Sequence, residues 1–411
     1  MKTQQLLAAA WLISGILHPV QSDTRAQVHE QFQDYDKSKY HQLDLNEAHS
    51  RFHQQLQNIP KAGVHHPAII SFGARYHKSF IIQHSKKLKD EFTSSNPWMI
   101  EAEINWHLRS QEVWDYCYCF PRTGLAVSYV NFDLPEILGS AVAVYPYIEP
   151  AIRPQQRLNF SIRFGLGPAF VTKIYDENRN PDNLFFSSHY SFIALLNFSA
   201  NFRCTESLSV RMAASYNHIS NGGYAEPNLG MNFPSLNMGL DYSLQKPIFP
   251  VLQKNPDNEL YPDKNRFDLL LGAAAKPASY ELHDNIYPVV HFGVKYSRVT
   301  GRVFAVTAAA EWLYDRSLIE LATARQIVDE DGNIPPPNRA SVAAGIEWLF
   351  GRFIFSQEIG VYLYAPVKAI HPVYQRYGLS FRFTEHISAG LNVKAHAQDA
   401  DFMEVMVGFS L

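Results

Sequence analysis

From about Pro67 to its last residue, Leu411, the chain alternates apolar and polar side chains with a period of two, segment after segment. In one segment Leu158, Phe160, Ile162, Phe164 and Leu166 alternate with Asn159, Ser161, Arg163 and Gly165. In the next, Tyr190, Phe192, Leu196, Phe198 and Phe202 share one face, with Ser191, Asn197, Ser199 and Asn201 opposite. Tyr377, Leu379, Phe381 and Phe383 alternate with Gly378, Ser380 and Arg382, and Met403, Val405, Val407, Phe409 and Leu411 close the chain in the same way. Successive side chains of a strand point to opposite faces, so each segment has one apolar and one polar face. Strands of about ten residues with that pattern cross a bilayer as parts of a closed barrel, lipid outside and polar packing inside. A soluble β-sandwich would need far fewer strands of this length. Composition fits: 22 Tyr and 27 Phe stand among 411 residues of only ordinary hydrophobicity, 46%, as aromatic girdles require. No apolar run after the N-terminus approaches the length of a membrane helix.

The segments predict strands over 68–84, 96–107, 124–132, 138–149, 156–172, 189–203, 207–218, 233–244, 266–276, 286–297, 302–313, 339–349, 352–364, 372–383, 387–397 and 402–411. The reading is an all-β, antiparallel transmembrane outer-membrane β-barrel of about sixteen strands, fourteen being the other even count allowed. With a periplasmic N-terminus, connections after even-numbered strands should be short. Those at 204–206, 298–301, 350–351 and 384–386 are, while 108–123 and 245–265 are not. One wide barrel is expected rather than two small ones, which would need a long linker.

Residues 1–22 read as a signal peptide: Lys2, an apolar stretch from Leu6 to Leu17, then Val20-Gln21-Ser22 before a cut at Asp23. Residues 23–66 are a polar periplasmic extension with a short helix expected over 44–56, and 67–411 form the barrel, divided into 67–244 and 245–411. A net charge of −3 suggests no nucleic-acid partner. Of the three cysteines, Cys117 and Cys119 are too close to bridge comfortably, and with Cys204 they read as small hydrophobes. Asp176, Glu177, Asn178, Asp182 and Asn183 are numerous enough to hold a divalent ion but read better as a solvated loop, so no metal and no cofactor is expected.

One segment carries chemistry, YNHISNGGYAEPNLGMN at 216–232, after the seventh strand. Leu208, Val210, Met212, Ala214 and Tyr216 form that strand's apolar face, and counting on by twos reaches His218 and Ser220. Both are expected on the lipid-facing side at the outer rim. Polar groups there cost desolvation unless paired. A His and a Ser two apart on one face have the base–nucleophile relation of acyl transfer. Asn221, Gly222 and Gly223 offer backbone N–H groups to an oxyanion, and Asn228 a side-chain donor. The plain alternative is a Gly/Asn-rich rim turn.

The pattern HxSNxG followed by PNxGxN resembles the outer-membrane lipid A 3-O-deacylase (PagL, acyloxyacyl hydrolase) family. SFIIQHS at 79–85, the pattern of Trp114, Tyr116, Pro121 and Gly124, and NPDN at 180–183 are similar to longer members of that family. The likeness covers roughly 68–244. It implies an outer-membrane esterase that removes an ester-linked acyl chain from the lipid A of lipopolysaccharide, with Ser220 as nucleophile and His218 as base. Its partners would be lipopolysaccharide, outer-membrane lipids and, during insertion, the barrel-assembly machinery. The family's third member is a Glu, and at that position this chain has Asn232; Glu226, in the same loop, is the alternative. The competing functional reading is a porin-like channel or structural barrel with inward Arg163, Asn201, Arg211 and Arg382. An adaptor for a surface machine is a third, without specific support.

Overall fold

The structure, a computed structural model, describes residues 67–254 and 263–411 apart from positions 84, 86, 87, 280, 283, 284, 369, 370 and 398. The expected signal peptide, polar extension and helix over 44–56 lie outside the described residues.

The period-two segments form long antiparallel strands. They are β1 (Ile69–Ser79), β2 (Trp98–His107), β3 (Arg122–Asn131), β4 (Ser140–Glu149), the two-residue β5 (Ala151–Ile152), β6 (Leu158–Val171), β7 (Tyr190–Arg203), β8 (Leu208–Ser220), the two-residue β9 (Met231–Asn232) and β10 (Ser235–Ser243). After them come β11 (Asn265–Pro277), β12 (Ile286–Val299), β13 (Phe304–Asp315), β14 (Asn338–Phe350), β15 (Phe353–Tyr364), β16 (Val373–Arg382), β17 (Ile387–His396) and β18 (Asp399–Ser410). Helices are short: α1 (Asp90–Ser94), α2 (Gln111–Cys117) and α3 (Ser317–Ala324). Among the described residues no helix is long and apolar enough to cross a membrane; the crossing is made by strands.

The all-β barrel architecture and the sixteen long strands agree with the sequence reading. Their closure does not: they form two eight-stranded barrels, not one wide one. The eighth long strand, β10, turns back to pair with β1 (Ser71 opposite Ser243, Ser79 opposite Ser235) and with β8 (Ser235 opposite Ser215), closing the first barrel. In the second, β11 pairs with β18, Asp268 opposite Ser410. The long 244–264 connection is the linker between them. The physical reason lies in the inward side chains. An eight-stranded barrel has room only for its own side chains, whereas sixteen strands enclose water, and each half carries inward charges that neutralise one another. In the first barrel Arg163 contacts Glu103 at 2.7 Å and Glu149 at 2.8 Å, and Arg211 contacts Glu149 at 2.9 Å and Asp241 at 2.8 Å. In the second, Lys295 and Arg266 share Glu347 at 2.6 and 2.8 Å, and His291 meets Glu404 at 3.0 Å. Arg163, Asn201 and Arg211 are therefore inward, as expected, but buried in a packed interior rather than lining a lumen. Arg382 borders the void of about 30 Å³ left inside the second barrel.

Connections at one rim are short, 204–207, 300–303, 351–352 and 383–386 among them, which marks that rim as periplasmic. At the opposite, outer rim of the first barrel the longer loops fold inward over a cap of buried apolar side chains. Phe132, Phe185, Phe186, Ile219, Met231 and Phe233 are each at most 1% exposed there.

Cys117 and Cys119 are joined in a disulfide, contrary to the expectation that they are too close. Tyr118 between them takes a left-handed conformation (φ 51°) at the end of α2, which brings the two Cα atoms to 5.0 Å, within bridging range. Cys204 is free.

Candidate active site

Along β8 the outward row is Met212 (62% exposed), Tyr216 (46%), His218 and Ser220, while Arg211, Asn217 and Ile219 point inward and are buried. The count by twos therefore reaches His218 and Ser220 on the outer side of the barrel wall. They are less open to lipid than expected: His218 is half-buried and Ser220 only 9% exposed. The reason is the loop that follows. Gly222, Gly223 and Gly230 all have positive φ (72°, 87° and 65°), and they fold residues 221–230 back over the strand end. A Cβ on Gly230 would lie 2.8 Å from Cε1 and 3.3 Å from Nε2 of His218, and 3.0 Å from Cβ of Ser220. The imidazole edge and the serine side chain thus flank one point, and only glycine fits between them. In the sequence the signal for Gly230 is its place in PNxGxN, a glycine two residues before the third site residue.

Beyond Gly230 the chain pairs with β8 through β9, His218 opposite Asn232. Asn232 Oδ1 lies 2.7 Å from His218 Nδ1 and accepts a hydrogen bond of 2.9 Å from the Tyr216 hydroxyl. An amide oxygen only accepts, so Nδ1 carries the proton and Nε2, on the Gly230 side, keeps its lone pair. The Ile82 backbone N–H donates to the Asn232 carbonyl at 2.9 Å, so the segment after β1 braces the third residue from behind. Glu226, the alternative, accepts from the Asn228 N–H at 3.1 Å within the loop.

Of the expected oxyanion donors, two are engaged. The Asn221 N–H donates to Asn228 Oδ1 (3.1 Å), and the Gly223 N–H to Asn221 Oδ1 (2.9 Å). The Asn221 side-chain amide donates to Ser187 Oγ and the Ala225 carbonyl, so this residue organises the loop. Gly222 N–H points at Ser220 Oγ over a long 3.4 Å, and the Asn228 amide nitrogen is oriented by its own oxygen's bond to Asn221. Those two remain to face an oxyanion.

The acidic loop over 173–188 is tied both to itself and to neighbouring loops. Asn180 and Asn183 donate to the Ile137 carbonyl at 2.9 and 3.0 Å, Asp176 accepts from the Asn178 and Arg179 N–H groups, and Asp182 meets Lys89 at 2.6 Å. Lys89, exposed just before α1, donates that hydrogen bond to the Asp182 carboxylate, which raises its pKa.

The second barrel abuts the site. Cβ atoms on Gly222 and Gly223 would stand 2.9 Å from Met403 Cβ and 2.9 Å from the Asp401 carbonyl of β18. Lower on the wall, Phe164 of β6 meets Phe355 of β15 with ring centres 6.2 Å apart. At the periplasmic rim Arg302 stacks on Tyr118, 3.9 Å from its ring centre.

Paired strands closed into two charge-filled barrels, with apolar rows outward, define an outer-membrane β-barrel protein. Within that class, the family model "Lipid A 3-O-deacylase (PagL)" matches residues 97–241, and "Acyloxyacyl hydrolase, C-terminal domain" matches 265–411. The chain belongs to the lipid A 3-O-deacylase (PagL) and acyloxyacyl hydrolase family. No curated protein matches it in sequence. Among solved structures it is similar to the outer membrane enzyme PagL at 15% identity, over 41% of this chain and 97% of that one, with a TM-score of 0.30. The corresponding values for Neisserial surface protein A are 10%, 43%, 96% and 0.26. For a Rhodopseudomonas blastica porin mutant they are 8%, 83%, 99% and 0.18.

Proposed function

We propose that this protein is an outer-membrane esterase that removes an ester-linked acyl chain from lipid A of lipopolysaccharide. The observation that carries the reading is the Tyr216–Asn232–His218 relay, which leaves the Nε2 edge of the imidazole beside the same glycine that touches Ser220. Ser220 Oγ adds to the ester carbonyl while its proton passes to His218 Nε2. Gly222 N–H and the Asn228 amide receive the oxyanion. Collapse expels the sugar hydroxyl, which takes the proton from His218, and water then releases the fatty acid from Ser220 by the same steps. Asn232 is the orienting residue in place of the family's Glu. It holds the productive tautomer but supplies no full charge to the imidazolium, so a slower enzyme is expected than with a carboxylate. The outer rim is where acyl esters of a lipid anchored in the outer leaflet lie. Insertion of two closed barrels would call on the barrel-assembly machinery.

The test is mass spectrometry of lipid A from cells expressing the wild type or Ser220→Ala. Loss of one ester-linked acyl chain is expected with the wild type. A decrease of about a thousandfold or more is expected for the variant. Unchanged lipid A with a correctly inserted wild-type protein would refute the reading.

A further inference from the structure

At the outer rim, the loop carrying Asn228 and the outer loops of the second barrel enclose a cleft of about 790 Å³, within the range of roughly 300–1,000 Å³ that small-molecule sites occupy. On one side it is walled by Gly223, Glu226, Pro227, Asn228 and Leu229, directly downstream of Ser220, with Leu184 beside them. Asn228 therefore belongs both to the proposed oxyanion site and to the cleft wall. The other side belongs wholly to the second barrel.

That second wall carries charges of both signs. Its acid nearest the loop, Asp401, is already matched, by Lys276 at 2.5 Å and His396 at 3.4 Å. Glu281 accepts from the Ser279 hydroxyl at 3.0 Å and Glu226, across the cleft, from the Asn228 N–H, neutral donors that leave both carboxylates charged, and Asp399 adds a further carboxylate to the lining. The cations Arg325, at the end of α3, and Lys368, between β15 and β16, are exposed, border the cleft, and make no ion pair among the described residues. Deeper, Arg339 is 4% exposed and lines the same cleft. One of its guanidinium nitrogens donates to the Val367 carbonyl at 3.2 Å and the group lies over the Tyr362 ring, while Nε has no hydrogen-bond partner among the described residues. A buried guanidinium N–H left unsatisfied costs free energy unless a ligand meets it. The apolar side chains in the lining, Leu318, Leu321 and Leu229, suit the hydrocarbon side of an amphiphile.

We infer that this cleft receives the anionic, phosphate-bearing head of the glycolipid whose ester is presented to Ser220, with Arg325 and Lys368 as its counter-charges. The inference rests on the proposed esterase reading only for the identity of the lipid. The second barrel then grips the head group. Because Gly222 and Gly223 fit against β18, head-group recognition and the reacting serine are held at a fixed separation. Arginine and lysine at the mouth of a partly enclosed site act on anions through both hydrogen bonds and a reduced dielectric.

The experiment measures binding rather than turnover. Full-length Ser220→Ala protein in detergent micelles is titrated with lipid A carrying its phosphates and with the same lipid after enzymatic dephosphorylation. A preference of about tenfold or more for the phosphorylated lipid is expected, as for a desolvated charge-assisted contact. Adding Arg325→Ala and Lys368→Ala should reduce that preference to about twofold or less, while adding Lys246→Ala, an exposed residue paired with Glu206 at the opposite rim, should preserve it. An absent preference, or one that survives the loss of both cations, overturns the assignment. So does inorganic phosphate alone binding as tightly as the phosphorylated lipid, since the cleft would then be a site for the free ion. If the wild type hydrolyses no lipid A yet the preference is present and depends on Arg325 and Lys368, the cleft stands and the esterase reading fails.

Discussion

In the proposed site Asn232 stands where the family resemblance implies a carboxylate, and its usefulness depends on which end of the amide faces His218. The Tyr216 hydroxyl decides this by donating to Oδ1, the atom that also faces Nδ1. Without that donor the amide is free to rotate its NH₂ toward the ring, which would stabilise the wrong tautomer. Tyr216→Phe is therefore expected to lower kcat about tenfold with KM little changed. In an Asn232→Glu background, whose two oxygens are equivalent, the same change should cost less, and a double-mutant cycle on lipid A hydrolysis measures the difference. A loss of equal size in both backgrounds would mean that Tyr216 acts only through packing. Gly230 is the second residue-scale control. Its φ of 65° and the 2.8 Å gap to His218 Cε1 leave no room for a methyl group. Gly230→Ala should cut kcat by about a hundredfold, because displacement of a reacting group by about 1 Å has that effect. Retained heat-modifiable mobility on gels would show that the barrel still closes.

At the scale of elements, the loop 221–230 is held between a strand end on one side and β18 of the other barrel on the other. Gly223 has φ 87° and faces the Asp401 carbonyl, which would lie 2.9 Å from an added Cβ. Backbone atoms cannot step aside as a flexible side chain can, so Gly223→Ala is expected to destabilise by about 1–3 kcal/mol. It should also shift the loop, seen as a lower thermal midpoint together with reduced hydrolysis. Gly222 is constrained as well, since its φ is 72° and an added Cβ would lie 2.9 Å from Met403 Cβ, which is fixed to the β18 backbone. These elements also show what a sequence reveals and what it hides. Strand positions and the outward parity of Tyr216, His218 and Ser220 follow from a period of two, a local property written in every segment. The partnership of β10 with β1, and of β11 with β18, is not local. Nothing within either strand names its partner, and a polar inward row looks the same whether it faces water or another charged row. The bridge between Cys117 and Cys119 was hidden for a related reason, since it depends on the left-handed turn at Tyr118 and not on spacing alone. The covering of Ser220 likewise arises from glycine conformations in the loop, and that loop rests against a second barrel whose placement no motif encodes.

At the scale of the whole molecule, two narrow barrels and one wide barrel predict different electrical behaviour. A sixteen-stranded wall leaves an aqueous channel, whereas eight strands enclose little beyond their own side chains. Arg163 and Arg211 are at most 1% exposed, with guanidinium groups locked among Glu103, Glu149 and Asp241. The void beside Arg266, Lys295 and Glu347 is about 30 Å³, space for about one water molecule. An ion entering either barrel would have to separate buried charge pairs, which costs several kcal/mol for each one broken. The purified protein in a planar bilayer should therefore show no long-lived open steps at moderate voltage, and single-channel recording checks this. Sustained porin-sized conductance would mean that the strands close as one wide ring, and the contact of β18 with Gly222 and Gly223 would go with it. The absence of such steps alongside hydrolysis of lipid A would place all the chemistry on the outer surface of the walls. In that arrangement the interiors serve to hold two rigid cylinders side by side, and the outer rim where they meet is the place proposed for substrate.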